Sequence, residues 1–169
     1  MTISMSSASL PICMTMLGNL AHMLDKAQAF VDTRKCDPSA LTLYRLAPDM
    51  LPFTRQIQIA TDGVKGCMAR LSGQEVPKWD DTEATLDELR ARIRKTLDYI
   101  DSVPAAAFEG GEQRDIVIPM RPPREPVQMT GQFFLQHWAL PNFYFHVTTA
   151  YALLRHAGVE LGKGDYLAV

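Results

Sequence analysis

Leu86, Leu89, Ile93, Leu97 and Ile100 recur at steps of three and four residues. Only a helix of about 3.6 residues per turn lines such a set along one face. Leu10, Leu17, Leu20, Ala21 and Leu24 repeat the pattern near the start of the chain. The first helix is therefore predicted from about Ser9 to Val31. "RKCDPSA" closes it, because the residue before Pro38 is pushed out of helical geometry. A second helix is predicted from "APDMLP" to Leu71, with Asp49 as its cap and Pro52 in its first turn. The third spans about Thr82 to Ser102. Its charge run "DELRARIRK" reads as a solvated face with i,i+4 pairs. The last covers Asn142 to Ala157 and is ended by Gly158.

Between the third and fourth helices the pattern changes. "EGGEQRDIVIPMRPPREPVQMTG" holds a β-like patch at Ile116 to Ile118, a second near Val127 to Met129, and prolines that forbid helix. Four long helices in 169 residues, with no internal repeat, imply one all-α domain over residues 1–169. The expected architecture is an antiparallel up-and-down four-helix bundle with a short β-like excursion between helices three and four.

Composition narrows the class. Hydrophobic residues make up 47% and charged residues 21%, an ordinary globular balance. A net charge of −2 and a pI near 6.1 argue against nucleic acid or an anionic membrane as partner. No apolar run reaches the roughly 18 residues of a membrane span. The N-terminus lacks the basic region of a secretory signal and is expected to be mature protein. Cys13, Cys36 and Cys67 are scattered, without a CxxC pair. That suits a cytoplasmic protein whose cysteines fill the core. "GKGD" lacks the spacing of a phosphate loop.

"LPNFYFHVTTAYALLRH" carries a polar stripe on an otherwise apolar helix, since Asn142, His146, Thr149 and Leu153 share one face. Asp49 and Gln56 lie seven residues apart near the start of the second helix. Asp49, Gln56, Asn142 and His146 are thus expected to line one polar pocket at an end of the bundle. A buried polar group needs a partner whether or not it has a function, so mutual satisfaction alone would produce the same pattern. His22 and His137 have no identifiable partner and are read as structural. Arg155 and His156 suit the negative end of the last helix.

These residues carry a resemblance. "RLAPDM", Gln56, "LPNFYFHVTTAYALLRHAGV" and "LGKGDYL" resemble an uncharacterised family of the DinB/YfiT-like superfamily of four-helix bundles, over nearly the whole chain. Many members of that superfamily hold nickel or zinc on three histidines, one from the second helix and two from an HxxxH on the last. Metal-dependent thiol transferases and a maleylpyruvate isomerase are among them. Here the HxxxH position reads Asn142 and His146, and the second helix offers Asp49 and Gln56. Neutral amide oxygens are poor zinc ligands, so no tightly held metal or other cofactor is expected.

Three functions remain open. In the first, His146 is a general base oriented by Asp49, while Asn142, Gln56 and Tyr151 position a small molecule. In the second, His146 and Asp49 hold a weakly bound zinc or nickel ion for a thiol transferase or isomerase. In the third, the protein binds a ligand or forms a homodimeric scaffold.

Overall fold

The computed structural model describes residues 3–167. Helix α1 (Met5–Arg34) begins before the expected Ser9, because Ser4 and Ser7 form a capping box that satisfies the first amides. A single turn, α2 (Ser39–Thr42), follows. Helix α3 (Phe53–Ser72) starts only after Pro52, which is extended at φ −69 and ψ 167. That geometry keeps Asp49 out of reach of the first helical amides. Asp49 sits on an exposed turn and does not cap α3 as expected.

Helix α4 (Leu86–Asp101) opens on a second capping box, Thr85 with Glu88, so it starts later than Thr82. Its stripe Leu86, Leu89, Ile93 and Ile100 is buried. Arg92, expected on the solvated face, is buried too, with 2% of its side chain exposed. Its place beside Ile93 turns it toward α3. There its guanidinium lies 2.9 Å from the carboxylates of Asp62, Asp81 and Glu83 and donates to Thr61 Oγ1 at 2.8 Å. A charge in that position is tolerable only because it is paired on several sides.

Asp81 and Glu83 lie on the segment between α3 and α4, which runs back along α3: Arg55 pairs with Asp81, and Gln58 donates to Glu83 at 2.9 Å. At ~3.3 Å per extended residue, Gly73–Thr85 can span a helix of α3's length. Helix α4 therefore runs parallel to α3, in place of the simple up-and-down alternation expected. The all-α four-helix bundle itself is as the apolar stripes predict, with α3 between α4 and the last helix and α1 against α4.

Strands β1 (Asp115–Ile118) and β2 (Val127–Thr130) form an antiparallel hairpin, pairing Asp115 with Thr130 and Ile118 with Val127. Its base docks on the C-terminal end of α3 through backbone. A methyl group on Gly131 would fall 1.9 Å from the Gly111 carbonyl oxygen, and one on Gly111 2.8 Å from that of Leu71. Arg114 donates to the same Leu71 carbonyl at 3.1 Å.

The last helix starts far ahead of Asn142, as α5 (Gly131–Phe133), capped by Thr130. A π-helical turn, Phe134–Ala139, leads into α6 (Leu140–His156). Pro141 has no N–H and its ring crowds the preceding turn, which would end an ordinary helix. The wider π turn absorbs that mismatch and lets the helix continue. Helix α7 (Lys163–Leu167) then latches back on α1: Asp165 accepts from Lys26 Nζ at 2.9 Å, and Asn19 donates to the Tyr166 carbonyl at 2.9 Å. Among the described residues no helix is long and apolar enough to cross a membrane.

The backbone contact at the hairpin base makes a paired prediction. Gly131→Ala should destabilise by more than about 2 kcal/mol, since the obstructing atom is backbone. Gly18→Ala, which meets nothing within 4 Å in α1, should stabilise by up to ~1 kcal/mol. Urea unfolding of both variants checks this; similar effects would contradict the close approach.

Candidate functional site

His146 projects from α6 onto α3 and is 7% exposed; Gln56, opposite it, is 2% exposed. Their Nδ1 and Oε1 atoms are 2.8 Å apart. Gln56 Nε2 donates to the Leu51 carbonyl at 3.0 Å, in the extended segment ahead of α3. A flipped amide would set oxygen against that carbonyl, so Oε1 must face the imidazole as an acceptor. The proton of the neutral ring therefore resides on Nδ1 and is donated to Gln56. Nε2 keeps its lone pair and has no hydrogen-bond partner among the described residues. Burial disfavours the imidazolium and holds the pKa of His146 below its ordinary value. Phe145 meets the ring edge-on at 5.2 Å.

Of the four polar residues expected to converge, the structure brings together Gln56 and His146. Asp49 lies on its exposed turn and makes no hydrogen bond to His146. The group that orients the ring is the Gln56 amide. Asn142 shares the α6 face but is exposed, because the first turn of the helix carries it out beside the π turn. Its amide faces Gly63 of α3. Tyr151 points elsewhere, edge-on to Tyr166 of α7 at 5.9 Å. Thr149, on the polar stripe, satisfies itself on the Phe145 carbonyl at 2.7 Å.

The other histidines find partners that sequence spacing does not reveal. His22 Nε2 is 3.4 Å from Asp165, His156 bonds the Tyr44 hydroxyl, and His137 packs on Phe133 with ring centroids 4.4 Å apart. Cys13 and Cys67 are buried, and desolvation pushes the Cys13 thiol up to about 12.

The metal of the resembled superfamily does not fit these donors. No group of three or more His, Cys, Asp or Glu side chains among the described residues is placed to hold a metal ion. Beside His146 stands an amide oxygen already taken by the imidazole N–H, and Asn142 and Asp49 lie apart from both.

Two outcomes follow. The unfolded chain takes up a proton at the ordinary imidazole value of 6.5, before folded His146 does. The advantage of holding the ring neutral is complete above that value and is lost as pH falls through the lowered folded one. Native protein should therefore lose stability relative to His146→Gln on acidification below about pH 6.5; a relative stability that stays flat or rises would contradict the depressed pKa. Untagged protein dialysed after purification should carry far less than one zinc or nickel per chain by elemental analysis. One metal per chain, lost on His146→Ala, would overturn that.

The model of a family described as Domain of unknown function (DUF1993) matches residues 5–167. A dinB family member protein from Shewanella denitrificans, known from its crystal structure, is 43% identical. It superposes with a TM-score of 0.88 over 96% of this chain and 90% of its own. No curated protein matches. With a family model spanning nearly all the described residues and a structural relative this similar, the chain belongs to the DUF1993 family of DinB-like four-helix bundles.

Proposed function

We propose that the protein acts on a small molecule without a metal, with Nε2 of His146 as proton acceptor. The observation that supports this is the chain Leu51 carbonyl, Gln56 amide, His146 imidazole. It holds the ring in one orientation and one tautomer and leaves Nε2 as the free base. A general base must be neutral at working pH and aimed by a second group, and both conditions hold for His146.

The choice of Gln56 as orienting group limits the chemistry. A carboxylate there would stabilise the imidazolium and strengthen the base. A neutral amide gives no charge compensation, so the captured proton is weakly held and readily returned. Such a base suits protons that are already fairly acidic, such as those of thiols, with an ordinary pKa of about 8.5, or of C–H groups flanked by carbonyls. Return of the same proton to a neighbouring position would complete an isomerisation.

Solvent deuterium exchange into a panel of 2-oxo acids and 1,3-dicarbonyl compounds, followed by proton NMR, tests the proposal. At least one compound should exchange faster with native protein, and His146→Gln should lower that rate by about 100-fold. The rate should rise with pH through the depressed pKa of His146 and then level off. Equal exchange with native protein and variant across the panel would defeat the proposal.

A further inference from the structure

We propose that the cavity between α3, the π turn and the hairpin binds a small molecule with an apolar, flat body and one carboxylate, and that Arg70 receives the carboxylate. The cavity measures about 290 Å³, at the small end of ligand sites. Ile59, Ile118, Phe134 and Trp138 make its apolar walls, and Arg70 and Asn142 bring polar groups to it.

Arg70 is the feature that needs explaining. It is half-buried in α3, yet its guanidinium forms no ion pair and no hydrogen bond with any side chain or carbonyl among the described residues. Arg92, one stretch further along the bundle, is spent on three carboxylates, whereas the Arg70 nitrogens stay open to solvent at the cavity and so to any anion that enters it. Asp62 also borders the cavity but does not neutralise Arg70. Its carboxylate is taken by Lys65 at 2.6 Å and by Arg92 at 2.9 Å. Among the described residues the free cation in the cavity is thus Arg70, and a planar guanidinium is the side chain best matched to a carboxylate.

The space Arg70 occupies is built for it. A methyl group on Gly66 would fall 2.4 Å from its Nη1, so the guanidinium lies across α3 where a glycine leaves room. A glycine inside a helix costs roughly 1 kcal/mol against alanine, and seating Arg70 gives that cost a purpose. On the opposite side, the π turn forced by Pro141 carries Phe134 and Trp138, so helix and cavity wall have one origin. Asn142 begins the next turn, with its amide free to donate a second hydrogen bond. The exposed position that removes Asn142 from His146 places it at this cavity.

The site stands on observations independent of His146, and the two can fail separately. Benzoate is the probe, benzamide its uncharged counterpart, and the Trp138 indole N–H signal the readout, with Trp79 as internal reference. Benzoate should shift Trp138 saturably below about 10 mM, benzamide at least about tenfold more weakly. Arg70→Gln should lose benzoate binding by about tenfold or more while melting like native protein, because Arg70 has no partner to lose. Gly66→Ala should weaken binding with the charge retained, by pushing the guanidinium aside. His146→Gln should bind benzoate as native protein does. Equal binding of benzamide, unchanged binding in Arg70→Gln, or no saturable shift of Trp138 would each overturn the proposal. Inorganic phosphate competing as well as benzoate would refute its apolar half.

Discussion

The direction of the bundle depends on one buried guanidinium. Arg92 of α4 draws Asp62 from α3 and Asp81 and Glu83 from the connecting segment onto a single cation. That pulls the Gly73–Thr85 connection back along α3 and sets α4 parallel to it. Its Nη2 lies 2.9 Å from two carboxylates without aiming an N–H at either. The contact there is a charge held among charges, and Thr61 and the Asp80 carbonyl supply directed bonds to the other nitrogens. Trp79 rides on the same connection, between Lys65 and Lys95 at 4.3 and 4.4 Å from its ring. One face of α3 is thereby committed to α4, and another, with Gln56 and Gly63, is turned to α6.

Two polar features lie along α3. Near the start of α3, Gln56 pins His146 while its own amide is pinned by the chain entering the helix. Further along, Arg70 lies across Gly66 at the cavity closed by the π turn and the hairpin. The structure gives up stability at both places: it buries an imidazole with a single neutral partner among the described residues, and it keeps glycines within a helix. Groups retained at a cost are the usual mark of a site, whereas Cys13 and Cys67, equally buried, are apolar filler with protonated thiols.

The legible part of the fold is the part written as periodicity. The stripes of α1 and α4 and the apolar α6 segment specify helices and a bundle through their spacing alone. The Gln56 and His146 pair is within reach too, since a polar residue at a core-facing position must find another. Asp49 misleads because its capping potential is a local preference, and Pro52 overrides it by holding the chain extended. Asn142 misleads because helical spacing gives a face but not the depth at which a helix end sits. Arg92 is hidden inside a charge run that reads as solvated, and two of its partners lie on a loop whose path no period encodes. Pro141 reads in the sequence only as a barrier; that a π turn passes it is a property of the backbone path.

The role of His146 depends on which of its ring nitrogens carries the proton. Nitrogen-15 shifts of the His146 ring, recorded near neutral pH in selectively labelled protein, read this directly. The structure predicts a neutral ring protonated at Nδ1, with Nε2 bare, and loss of that preference in Gln56→Leu. A ring protonated at Nε2, or one that is an imidazolium near neutral pH, would contradict it.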